Sequence, residues 1–193
     1  MPPISLPLRP ILAASLALSL ATACTQVSPP PEPAASTPTD TAMALALTGE
    51  GLFLVEEEGG STTLLPFGMD MATVQSAVTD LLGRPEMVSV NEECPGDPFI
   101  SAIWADGLVL NADGEEFIGW SVRPEVGSDQ FTTLAGVGVG SSRGDLEAVY
   151  TVTVFESTIG TEFTAGQLAG LLSDPSPEAE VTDFWAGTVC IFR

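Results

Sequence analysis

GVGVGSSRGDLEAVY, at residues 136–150, decides the fold, because LLPFGMDMATVQSAV at residues 64–78 aligns with it without a gap at an offset of 72. Gly68 matches Gly140, Phe67 matches Val139, Asp70 matches Ser142, Val74 matches Leu146 and Val78 matches Tyr150. The identities are few, but the paired positions do the same physical work. Each copy reads as strand, sharp glycine turn, N-cap and helix. Asp70 and Ser142 carry the side-chain oxygen that accepts an orphan backbone N–H at a helix start. Ser142 and Asp145 have capping-box spacing, with Asp in place of Glu. In the first helix Val74, Ala77, Val78, Leu81 and Leu82 form one apolar stripe. Gly83 and Pro85 end it. The second helix is shorter, with Leu146, Val149 and Tyr150 as its stripe, and gives way to the β-branched run from Thr151 to Phe155.

Outward from these two units the chain is strand-like. PFISAIWAD (98–106), GLVLNAD (107–113) and EFIGWSV (116–122) follow the first helix, with Asp106-Gly107 and Asp113-Gly114 as turns between them. EFTAGQLAGLLS (162–173) and AEVTDFWAGTVCIFR (179–193) follow the second, separated by the loop SDPSPE. A hairpin, LFLVEEEGGSTTLL (52–65), precedes the first unit. The expected fold is therefore α+β: two tandem repeats of a helix plus an antiparallel meander, helices packed on a sheet, with an extra N-terminal hairpin. The expected boundaries are a signal peptide at 1–23, a modified cysteine and tether at 24–42, and repeats at 43–126 and 127–193.

The strand-glycine-cap-helix stretch at 136–150 and its weaker copy resemble the repeat of BamE-type envelope lipoproteins and of beta-lactamase-inhibitor-like proteins. The resemblance covers about 30 residues directly and implies the architecture. The inhibitors' contact loops have no counterpart here, so no inhibitory role is implied.

The N-terminus carries one base, Arg9, and an apolar run from Ile11 to Ala23. That run is shorter than the ~20 residues a membrane-spanning helix needs, and it ends in Ala21-Thr22-Ala23 directly before Cys24. It reads as an export signal. The Ala-Thr-Ala-Cys end resembles the lipobox of bacterial lipoprotein precursors, with Leu20 one place early, and implies lipid on Cys24. Residues 25–42 are rich in Pro, Ser, Thr and Ala and read as a semi-extended tether.

The cysteine count agrees with that reading. Cys24, Cys94 and Cys190 are an odd number for an exported chain. Acylation of Cys24 leaves Cys94 and Cys190 to pair, which an oxidising compartment favours. A loop of about 95 residues closed in this way is worth about 4.6 kcal/mol in chain-entropy terms. A redox-active pair is the alternative, but there is no Cys-x-x-Cys spacing.

Composition excludes several classes of function. There are 26 acidic residues, five Arg, no Lys and no His, for a formal net charge of −21, and the mean hydropathy is +0.31. Nucleic-acid binding lacks its basic footprint. Histidine catalysis, histidine metal sites and lysine chemistry lack their residues. Arg84, Arg123, Arg143 and Arg193, amid so many acids, are each expected to pair with a neighbouring carboxylate. Gly140-Ser141-Ser142-Arg143-Gly144 has the outline of a nucleophile motif, but Ser142 has no base to activate it. The acidic runs Glu56-Glu57-Glu58, Glu92-Glu93 and Asp113 to Glu116 lack EF-hand order and read as solvated turns. No catalytic residue, metal or cofactor is expected.

Trp104, Trp120 and Trp185 remain as candidate binding residues. Strand alternation sets Phe99 opposite Trp104 and Phe117 opposite Trp120, so some aromatics should face away from the helices. An exposed aromatic face binds something. The functional expectation is a non-catalytic protein lipid-anchored in the bacterial envelope, facing out of the cytoplasm. It would bind an envelope protein or surface component through an open sheet face and touch the membrane only through Cys24. A secreted inhibitor-like or small-ligand module is the second reading, and a carboxylate-based hydrolase the third.

Overall fold

Alternation of apolar with small or polar side chains runs through most of the chain after residue 42, and it folds as strands. A computed structural model describes residues 42–92, 94 and 98–191, within a unit spanning Asp40–Arg193. The expected signal peptide, Cys24 and the tether as far as Thr41 lie outside the described residues.

Three strands open the unit: β1 (Met43–Thr48), β2 (Gly51–Glu56) and β3 (Thr62–Pro66). Helix α1 (Met71–Leu82) leads to β4 (Met87–Asn91), β5 (Phe99–Ile103), β6 (Leu108–Asp113) and β7 (Glu116–Val122). A 3-10 turn at Ser128–Gln130 and the two-residue β8 (Thr132–Thr133) precede α2 (Arg143–Val149). The chain continues as β9 (Thr153–Ser157), β10 (Gly160–Ala165), β11 (Leu168–Leu172) and β12 (Val181–Gly187).

The eight-stranded antiparallel sheet has the order β4-β5-β6-β7-β12-β11-β10-β9, so two meanders meet where β7 pairs with β12. The smaller sheet has the order β3-β2-β1-β8, with β8 parallel to β1. The core contains Leu47 and Leu52 of the small sheet, Val74 and Val78 of α1, Leu146 of α2, and Leu110, Trp120, Phe163 and Phe184 of the large sheet.

This corrects the expected fold class. Among the described residues the protein is mostly β, with 47% of them in strands, two sheets and two short helices. It is not an α+β tandem of helix-plus-meander repeats. The physical reasons are local. Helix α2 spans only seven residues, because the β-branched run after Tyr150 takes the extended form. The N-terminal hairpin gains β1, and a second-half segment, β8, completes its sheet. EFTAGQLAGLLS, read as one run, is the hairpin β10–β11 turning at Gly166-Gln167.

Two β-bulges correct the expected facing of the aromatics. On β7, Gly119 pairs with Asn111 and Phe117 with Ala112, so Ile118 is an extra residue. On β12, Asp183 pairs with Leu171 and Val181 with Leu172, so Thr182 is extra. An inserted residue shifts the alternation by one place. Phe117 and Trp120 therefore both join the core, and so do Val181 and Phe184. The Trp120 indole N–H donates to the Thr48 carbonyl at 2.9 Å, joining the large sheet to β1. Its ring meets Phe184 edge-on at 5.5 Å. Trp104 donates to the Gly83 carbonyl at 2.9 Å, just past α1.

Candidate binding site on the outer sheet face

With one face of the large sheet filled by the core, the register orders the other face in rows. One row is neutral and polar: Ser89, Ser101, Asn111, then Gly119 and Gly187. The next is largely apolar: Met87, Ile103, Val109, Ser121, Trp185 and Ala169. The third contains Leu171 and Asp183, and Arg123 stands opposite Asp183, one step beyond the last paired position, Phe184–Val122. Successive rows are ~7 Å apart, two residues of strand.

After β12 the chain turns back across this face. Gly187 takes φ 70°, a left-handed conformation that glycine adopts without cost. The Thr188 N–H donates to the Ile118 carbonyl at 2.8 Å. Asn111 Nδ2 donates to the Thr188 carbonyl at 3.1 Å, and Ser101 Oγ donates to Asn111 Oδ1 at 2.8 Å. Gly119 lies directly beneath: a Cβ there would stand 2.2 Å from the Thr188 oxygen. The strap Thr188–Ile191 is then fastened by the Cys94–Cys190 disulfide, whose Cα atoms are 5.3 Å apart. The expected pairing of these two cysteines is therefore the one present.

Strap and sheet enclose a cleft of about 470 Å³, a size suited to a small molecule. Ile103, Val109, Leu171 and Trp185 form its apolar floor, Val189, Cys190 and Ile191 contribute from the strap, and Arg123 and Asp183 supply its charges. Among the described lining residues Asp183 is the one carboxylate, so no pair of carboxyls converges there as glycoside hydrolysis requires.

Of the three candidate tryptophans, Trp185 alone lines the cleft; Trp104 and Trp120 are core residues. Trp185 is 7% exposed. Its indole N–H, unlike those of Trp104 and Trp120, has no hydrogen-bond partner among the described residues.

Asp70 and Ser142 are helix caps. Asp70 accepts from the Thr73 N–H at 2.8 Å and from the Thr73 hydroxyl at 2.7 Å. These bonds, the hydroxyl first, hold its carboxyl below the usual range. Ser142 Oγ accepts from the Asp145 N–H at 3.1 Å, and Asp145 Oδ2 accepts from the Ser142 N–H at 3.3 Å. Among the described residues no group of three acidic or cysteine side chains gathers into a metal site.

The expectation that each arginine pairs with a carboxylate holds for Arg143, which meets Glu147 at 2.7 Å. Arg84 and Arg123 form no ion pair among the described residues. Arg193 lies outside them. Arg123 stands opposite Asp183, one step past the last paired position of β7, without bonding to it. Arg123, Asp183, Asn111 and Ser101 are the site residues that sequence reasoning missed. Their one signal is a polar residue next to a core residue on each of three strands: Ser101 beside Ala102, Asn111 beside Leu110 and Ser121 beside Trp120. Compared with protein-family models, curated proteins and solved structures, the chain matches none.

Proposed function

We propose that the chain is an exported, non-catalytic binding protein and that the cleft on the outer sheet face is where it binds a small envelope component. The observation that carries the reading is the cleft itself: an apolar floor that includes Trp185, with a few polar groups, walled by a covalently fastened strap. Such a surface recognises and holds: among the described lining residues the serines have no histidine or lysine to activate them, and Asp183 is the one carboxylate. The disulfide supports an oxidising compartment. The N-terminal signal and the lipobox-like end at Cys24 support a lipid anchor in a bacterial envelope, as in the lipoproteins the chain resembles.

The geometry favours the small-ligand form of this function over an open face for a protein, because the strap crosses the face. The test uses Ser121→Phe, which fills the cleft between Val109 and Trp185. The small-molecule fraction of an envelope extract should raise the thermal midpoint of the wild-type protein and leave that of Ser121→Phe unchanged. Equal shifts in both proteins, or none in either, would overturn the reading.

A protein partner has one observation in its favour. The edge strand β4 leaves Met87, Val88 and Val90 more than half exposed, with no strand paired on its outer side among the described residues. Val88→Lys and Val90→Lys should abolish any such partner's binding while leaving the cleft intact; binding that survives both changes rules this surface out.

A further inference from the structure

We infer that the cleft takes a free α-amino acid with a large apolar side chain, an inference that rests on the cleft being the binding site. Arg123, directly after β7, and Asp183, on β12, stand opposite one another and line the same cleft. A cation and a carboxylate placed so usually pair, yet these form no ion pair, and neither side chain has another hydrogen-bond partner among the described residues. Each charge therefore keeps its hydrogen-bonding capacity for something else.

One ligand satisfies both at once. An α-carboxylate matches the Arg123 guanidinium, and the adjacent α-ammonium matches Asp183. A ligand with a single charge would leave the other residue facing an unmatched site. The net charge of −21 also disfavours a purely anionic ligand, whereas a zwitterion is carried by neither sign of field. One row along the sheet, ~7 Å from the charged pair, lie Trp185, Val109 and Ile103. A phenylalanine-sized side chain spans that distance and lies against the indole, where aromatic contact adds to area burial. Beyond it, Ser101 and Asn111 hold the strap, so the far end is closed by neutral groups.

The experiment is isothermal titration of the full folded protein with L-phenylalanine, N-acetylphenylalanine, phenylalaninamide and the uncharged 3-phenylpropionamide. L-Phenylalanine should bind, and loss of either charge should weaken binding at least tenfold. Arg123→Gln should erase the preference for phenylalanine over its amide. Asp183→Asn should erase the preference over the acetylated form. Both residues are at the edge of the cleft and outside the core, so the variants keep the fold, which an unchanged thermal midpoint verifies. Equal binding of all four compounds overturns the inference, and so does absence of heat with phenylalanine. If 3-phenylpropionamide binds as tightly as phenylalanine and Ser121→Phe abolishes that binding, the cleft remains the site and only the zwitterion assignment falls. If none of the four binds and the extract gives no shift, both fall.

Discussion

Asp70 illustrates how one side chain links sequence, helix and pH. Its carboxylate accepts the Thr73 hydroxyl and N–H, and these bonds lower its pKa in the folded state. A carboxyl that ionises more readily when folded adds stability above its unfolded pKa, near 4, and that contribution is lost as acid protonates it. Asp70→Ala should thus lower the thermal midpoint at pH 7, and its difference from wild type should shrink as the pH falls below 4. A difference that is constant with pH would assign the effect to packing. Ser142→Ala removes the bond that Oγ accepts from the Asp145 N–H and the one it donates to Asp145 Oδ2, and should cost about 1 kcal/mol in a urea titration. Capping is chemistry within four residues, which a sequence displays in full. The pairing of Cys94 with Cys190 was legible for another reason: once Cys24 is read as modified, only one pair is left to form. Arg123 and Asp183 were not legible. They are 60 positions apart in the chain, and only the pairing of β7 with β12 sets them side by side.

At the scale of elements, helix α1 was visible because its apolar residues repeat at the helical period over twelve residues, and Met71, Val74 and Val78 are its buried face. Strand β1, MALALT, was hidden by its alanines, which do not advertise β propensity, while Leu45 and Leu47 beside them enter the core. Strand β4 was hidden because an edge strand half in water needs no strict alternation. The bulges at Ile118 and Thr182 were hidden because a single inserted residue cannot be told from a break in pattern. In α2 only Leu146 is fully buried, so the helix depends on that one anchor. Leu146→Ala should destabilise by about 3 kcal/mol through lost transfer energy and the cavity left behind. A loss under 1 kcal/mol would mean that α2 is held by its cap and not by packing. Gly119→Ala tests the strap. Its methyl would collide with the Thr188 oxygen, so the strap must lift while the sheet beneath is kept. Ligand binding should fall while the unfolding midpoint changes little; undiminished binding would show that the strap is no wall of the site.

For the molecule as a whole, the fold is a large antiparallel sheet with its core on one side and a fastened cleft on the other. A loop closed over 96 residues stabilises by about 4.6 kcal/mol in chain-entropy terms, chiefly by restricting the unfolded chain. Reduction of Cys94–Cys190 should lower the thermal midpoint by at least several degrees and weaken ligand binding, because the same bond holds the strap. An unchanged midpoint would contradict a structural bridge. For the anchor, wild type expressed in a bacterial host should partition into detergent and Cys24→Ser into water; identical aqueous partitioning of the two would remove the lipid from the account.

Amide hydrogen exchange, with and without the small-molecule envelope fraction, locates the ligand most directly. Slowed exchange is expected in the strap from Thr188 to Ile191 and along β12, and is expected to vanish in Ser121→Phe. Slowing confined to β1, β2 and β3, or slowing that persists in Ser121→Phe, would contradict the outer sheet face as the binding site.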